Sequence, residues 1–141
     1  MVRVMASGVF DLIHPGHIDY LKQAKSYGDY LTVVIASDKT VRKNKHEPVT
    51  PEAMRALIVE SLKPVDEAIV GGEGDMLDTV AKVKPDIIVL GYDQNFDESE
   101  LKAKLKERGF DGIDVVRANE CADDLNATRR IMAKIREMGS Q

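Results

Sequence analysis

The chain has 141 residues, 43% hydrophobic and 31% charged, with no tryptophan and a formal net charge of −4. This length suits one domain with a single core over residues 1–141, and no apolar run approaches the roughly 20 residues that a membrane-spanning helix needs. The negative balance argues against general nucleic-acid affinity, "MVRVMASGVF" has no signal-peptide pattern, and the lone Cys121 cannot form an internal disulfide, so a cytoplasmic location is expected.

In chain order, "VRVMAS" (2–7) reads as a buried strand. "HIDYLKQAKSYG" reads as a helix with Ile18, Leu21 and Ala24 inward and Gly28 as its stop. "YLTVVIAS" (30–37) is a β-branched run without polar alternation, as expected for a strand covered on both faces. The polar stretch "DKTVRKNKHEPV" breaks the pattern and is expected to be a functional loop. "TPEAMRALIVESL" follows as a helix, with Thr50 as cap, Pro51 in the first turn, and Met54, Leu57, Ile58 and Leu62 as its core stripe.

"DEAIV" (66–70) is a short strand, "DMLDTVAKVK" a helix stopped before Pro85, and "DIIVLG" (86–91) another buried strand. "ESELKAKLKERG" (98–109) is a charged helix with Leu101 and Leu105 inward, and "GIDVVR" (112–117) a fifth strand. "NATRRIMAKIREM" ends the pattern as a helix with Ile131, Ile135 and Met138 on one side. Five alternations of strand and helix predict an α/β fold: a Rossmann-like open sheet of five mainly parallel strands with helices on both faces. Ligands of such sheets sit beyond the carboxyl ends of the strands, where the strand order reverses. "GVFDLIHPGH", the basic stretch and "GYDQNF" all fall at such ends.

His14 and His17 flank a Pro-Gly pair just ahead of a helix. A zinc site would want four ligands, but only His46 and Cys121 remain as further histidine or cysteine, with no ligand spacing, so no metal site is expected. Ordinary hydrogen-bonded histidines are the bland alternative. An anion site fits better. Pro15 holds His14 extended, Gly16 lets a ligand approach the backbone, and the helix start offers free N–H groups and a favourable dipole. Lys39, Arg42, Lys43 and Lys45 supply positive charge nearby, either as a solvated surface or folded over a polyphosphate. No Gly-x-x-x-x-Gly-Lys motif is present.

"GVFDLIHPGH" resembles the His-x-Gly-His signature of the nucleotidyltransferase superfamily that includes the cytidylyltransferases. "GDYLTVVIASD", "PEAMR", "VDEAIVGGEGD" and "KPDIIVLGYDQNF" extend the similarity over nearly the whole chain. "LKPVDEA", "GGEGD" and "GYDQNFDE" look most like the archaeal FAD synthases, which are FMN adenylyltransferases. Glycerol-3-phosphate cytidylyltransferases and heptose-phosphate adenylyltransferases share much of that skeleton. Two departures stand out: Val9 replaces the usual threonine of the first motif, and the carboxy-terminal Ser-Thr-Thr-type motif is reduced to "NATRR", with Thr128 its one clear hydroxyl.

The resemblance implies transfer of AMP from ATP to FMN, giving FAD and pyrophosphate. The alternatives are nucleotidyl transfer to a sugar or polyol phosphate, and a non-catalytic nucleotide-binding module. It also implies a divalent metal, magnesium, carried by the triphosphate, and a possible homodimer that pairs through a sheet edge or the last helix. His14 and His17 would donate to the α-phosphate, while Lys43 and Lys45 neutralise the β- and γ-phosphates. Val9 and Phe10 would line the nucleotide pocket with Pro15 and Gly16 beside them, and Asp93 would contact sugar or base. Thr128 and Arg129 would serve from the last helix. Asp11 is expected to support the fold rather than contact a metal, and Arg55 to be either a surface ion pair or a site residue. Glu73, Asp75 and Asp97 are expected to be solvated or capping, and Tyr92 and Phe96 to be stacking candidates or core.

Overall fold

In the computed structural model, residues 1–44, 47–72, 74–92, 94, 97–120 and 128–139 are described. The strands are β1 (Arg3–Gly8), β2 (Tyr30–Ile35), β3 (Glu67–Val70), β4 (Ile87–Leu90) and β5 (Asp114–Arg117). The helices are α1 (Pro15–Ser26), α2 (Asp38–Lys43), α3 (Glu52–Glu60), α4 (Met76–Val83), α5 (Glu98–Glu107) and α6 (Thr128–Gly139). The sheet order is β3-β2-β1-β4-β5 and every pairing is parallel, so the order reverses between β1 and β4.

Alternation along the strands feeds two separate cores. Val4, Ala6, Leu31, Val33, Ile35 and Val89 point to the face covered by α1 and α3, where they meet Leu21, Ala24 and Val59. Met5, Val34, Ile88, Leu90 and Val115 point to the opposite face, where α4 and α5 supply Leu77, Val80, Leu101 and Leu105. Each such side chain taken out of water contributes about 1.5–3 kcal/mol. Burial on both faces explains the unbroken apolar runs in the sequence. At Gly28 an added Cβ would lie 2.7 Å from the Val2 carbonyl oxygen, so glycine lets the chain pass close to β1 on its way into β2.

Three expectations are corrected. The basic stretch after β2 is not all loop, because residues 38–43 form α2. Ser37 Oγ accepts from Thr40 N–H at 3.1 Å, Asp38 stands in the first turn, and Arg42 and Lys43 stand in the last, each sign where the helix dipole favours it. Thr50 does not cap α3: Pro51 holds that place, and the Thr50 hydroxyl is spent on Asp11.

The face of α3 also differs. Met54, Leu57 and Ile58 are 48%, 69% and 39% exposed, whereas Val59 and Arg55 are buried; of the expected stripe only Leu62 packs against the core. The cause is Arg55, which is 0% exposed. Its Nε donates to the Thr50 carbonyl at 3.0 Å, Nη1 to the Val9 and Ala36 carbonyls at 2.8 and 2.7 Å, and Nη2 to Asp38 at 2.6 Å. Only one rotation of the helix sends the guanidinium among these acceptors, and that rotation turns the apolar stripe outward.

Candidate active site

The segment between β1 and α1 crosses the carboxyl end of the sheet beside the point where strand order reverses. Phe10 adopts φ 54°, a region that non-glycine residues seldom occupy. Its ring is 3% exposed. An added Cβ at Gly8 would sit 2.8 Å from that ring, so the glycine leaves it room. Phe10 therefore floors the site rather than presenting an open wall: its ring lies 5.1 Å from the His17 ring and 6.4 Å from that of Tyr20, centroid to centroid. Val9 is exposed at the rim, and its carbonyl holds Arg55.

His14 and His17 stack with ring centroids 3.8 Å apart at the start of α1. They cap that helix reciprocally. Gly16 N–H donates to His14 Nδ1 at 3.1 Å, and His14 N–H donates to His17 Nδ1 at 3.3 Å. Each Nδ1 is thus an acceptor, which leaves the proton of a neutral ring on Nε2. Burial first, then the charge of His14, pushes the His17 pKa down to about 4, so this ring is neutral at pH 7. His17 thus keeps a neutral Nε2–H donor, with the His14 ring stacked beside it.

The expected free amides of the first turn are not there. Pro15 has no N–H, Gly16 N–H is taken by His14, and the His17 and Ile18 N–H groups reach the His14 carbonyl at 3.0 and 3.4 Å. What this end can offer an anion is therefore the imidazoles and the helix dipole rather than free amides.

A second layer fixes the segment in place. Asp11 accepts from Val49 N–H at 2.7 Å, Thr50 N–H at 2.8 Å and the Thr50 hydroxyl at 2.6 Å, and so ties this segment to the start of α3. Burial opposes ionisation of Asp11, but these hydrogen bonds prevail and its pKa is lowered. Arg55 ties the same segment to the end of β2 and the start of α2, and is no surface ion pair.

Lys43 is exposed in the last turn of α2, while Arg42 is paired with Glu47 at 3.2 Å. Lys45, Asp93, Cys121, Glu73, His46 and Phe96 lie outside the described residues, as do the side chains of Thr128 and Arg129. Asp75 caps α4 and Asp97 caps α5, accepting from Leu77 and Glu100 N–H at 3.1 and 3.0 Å. Among the described residues, no group of three or more His, Cys, Asp or Glu is placed to hold a metal ion.

Three contributors were not picked out from the sequence: Tyr20, Gln94 and Arg117, all at the β4 side of the site. Gln94 lies next to the chosen Asp93, and Arg117 ends a strand on the ligand-binding side of the sheet, which was the one available signal.

Comparison with known proteins places this geometry in context. The family model described as cytidylyltransferase-like matches residues 5–134. A protein named FAD synthase from Aciduliprofundum boonei is 54% identical over 136 residues, covering 96% of this chain and 91% of its own length. The FAD synthase of Thermoplasma acidophilum is 51% identical over 138 residues, or 98% of this chain and 96% of its own. A crystal structure described as the lipopolysaccharide core biosynthesis protein from Thermoplasma volcanium GSS1 has a TM-score of 0.84 at 52% identity, covering 86% of this chain and 98% of that one.

Proposed function

We propose, since this chain belongs to the cytidylyltransferase-like family, that it transfers AMP from ATP to FMN and releases FAD and pyrophosphate. The observation that carries the reading is the stacked, reciprocally capped pair His14 and His17 at the start of α1, in which the neutral His17 ring keeps its Nε2–H for a ligand.

The chemistry needs donors more than it needs a base. A phosphate oxygen of FMN forms a bond to the α-phosphorus of ATP, the bond from that phosphorus to the bridging oxygen breaks, and pyrophosphate leaves with the electron pair. The attacking phosphate is already anionic, so no proton has to be removed from it. His17 suits this role, because its one unprotonated nitrogen is occupied by His14 N–H while its Nε2–H is left to donate. Charge that builds on the α-phosphate oxygens meets two fixed donors that need no reorganisation.

Lys43 and Lys45 neutralise the β- and γ-phosphates and the leaving pyrophosphate. ATP enters as its magnesium complex, since Mg²⁺ keeps several waters and asks for few protein ligands. Val9 at the rim, Pro15 and Gly16 beside the imidazoles and Phe10 beneath them serve the nucleotide, as do Asp93, Thr128 and Arg129.

The expected site of action is the cytoplasm, in keeping with the single cysteine; among the described residues no helix is long and apolar enough to cross a membrane. A net charge of −4 supports small-molecule partners over nucleic acid. The second copy in a homodimer would meet α3, whose exposed Met54, Leu57 and Ile58 form an uncharged stripe that can face itself across a twofold axis.

Transfer to a sugar or polyol phosphate is the second reading; the Thermoplasma volcanium protein of similar fold is described as a lipopolysaccharide core biosynthesis protein. Pyrophosphate release with ATP or CTP against FMN, glycerol 3-phosphate and heptose phosphates separates the two. FAD formation from ATP and FMN is expected. Turnover of CTP with glycerol 3-phosphate, and none of ATP with FMN, would overturn the reading, and silence with every pair would leave a binding module.

A further inference from the structure

The ladder between β1 and β4 ends early. Its register runs from Val4↔Ile87 to Ala6↔Val89, whereas β1 stays paired with β2 as far as Gly8↔Ile35. Ser7, next along β1, has no register partner in β4. Two side chains take the place of the missing strand. Ser7 N–H donates to the Tyr20 hydroxyl at 3.2 Å, and that hydroxyl donates to the Val89 carbonyl at 2.5 Å. The Ser7 carbonyl accepts from Gln94 Nε2 at 2.9 Å, while Gln94 Oε1 accepts from Gly91 N–H at 2.9 Å. The crevice between the strands is thus held open at a fixed width instead of zipping shut.

Gln94 is itself held. Arg117, at the end of β5, directs Nη1 at the carbonyls of Gly91 and Gln94, both at 2.9 Å, and of Tyr92 at 3.4 Å, while its Nε pairs with Glu98. Three carbonyls of one short segment converge on one guanidinium nitrogen. In turn, the single amide of Gln94 fastens that segment to β1 by giving one hydrogen bond and taking another. A carboxylate at residue 94 could still accept from Gly91 but could not donate to Ser7, and a shorter amide would not span the gap.

We infer that Gln94 and Arg117 are positioning residues for the nucleotide: together they latch Gly91, Tyr92 and Gln94 to β1 and set the shape of the crevice that receives the nucleoside end of ATP. The placement follows from the layout. The imidazole pair sits over the start of α1 and the cations lie on the β2 side, so a triphosphate bound there points its nucleoside across the β1/β4 crevice. This inference rests on the adenylyl-transfer reading above, and it adds a residue pair that acts on one substrate more than the other.

The test uses the full chain and two variants, Gln94→Glu and Arg117→Lys. ATP binding is measured directly by calorimetry without FMN, and KM for each substrate and kcat are measured in the complete reaction. Both variants are expected to weaken ATP binding and raise its KM by ten-fold or more. KM for FMN should stay within about two-fold and the thermal midpoint near that of the parent. ATP affinity at the parent level in both variants would overturn the latch, as would an equal rise in both KM values or a drop in kcat alone. Failure of the adenylyl-transfer reading is seen separately, as absence of FAD formation by the parent chain. Should Gln94→Glu fail to fold, Arg117→Lys, which keeps the charge but loses the convergent geometry, carries the same expectations.

Discussion

His14 and His17 each do two jobs with one ring. Nδ1 closes the first turn of α1, and that closure decides which nitrogen keeps the proton for a ligand. The sequence shows the pair and the Pro-Gly between them, and an anion site is the expectation that pattern raises. The locked tautomer does not, because it depends on backbone N–H groups whose directions only the folded turn defines. A pH prediction follows from His17. Its folded pKa of about 4 lies below the ordinary 6.5, so between those values the unfolded chain holds a proton that the folded chain lacks. Stability from this group is complete above pH 6.5 and is lost as pH falls toward 4, by up to about 3 kcal/mol. Urea unfolding of the parent and of His17→Gln at pH 7 and pH 4.5 checks it. The variant should lose clearly less stability on acidification, and equal losses would contradict the buried neutral ring. Below these values the carboxylates of Asp11 and Asp38, both shifted down, add a further loss at more acidic pH.

At the scale of elements, the strands were legible because β-branched runs covered on both faces leave no polar alternation to misread. The orientation of α3 was not. Hydropathy puts Met54, Leu57 and Ile58 inside and an arginine outside, yet the loops after β1 and β2 present carbonyls and a carboxylate that only a buried guanidinium satisfies. The same kind of tertiary demand hid Gln94 and Arg117, since nothing local reveals that the register between β1 and β4 stops at Ala6. Removing the guanidinium should cost more than its replacement methylene chain can return. Arg55→Met is expected to destabilise the fold by about 3–5 kcal/mol, because it leaves the Asp38 carboxylate and three carbonyls without their donor. Chemical denaturation measures it. A loss under about 1 kcal/mol would mean that the clamp is dispensable and that another force sets the face of α3.

For the whole molecule, the reversal of strand order brings three chain segments to one end of the sheet, and this much was readable from strand count and motif position. The outward stripe of α3 was invisible until the helix face was known, and it adds a candidate surface for a second copy to the sheet edge and the last helix, whose Ile135 and Met138 are also exposed. Light scattering should give twice the chain mass for the parent and a single chain mass for Leu57→Glu, because a charge at the centre of an uncharged self-facing stripe meets its own copy. A monomeric parent, or a dimeric variant, would remove α3 from the interface.

The measurement that bears most directly on the central claim is the rate of FAD formation from ATP and FMN by His14→Ala and His17→Ala, each with its ATP affinity determined in parallel. If two imidazole donors stabilise charge on the α-phosphate as it reacts, each variant loses about 10²–10³ in kcat while still binding ATP. A variant of either kind that makes FAD at the parent rate would contradict the account.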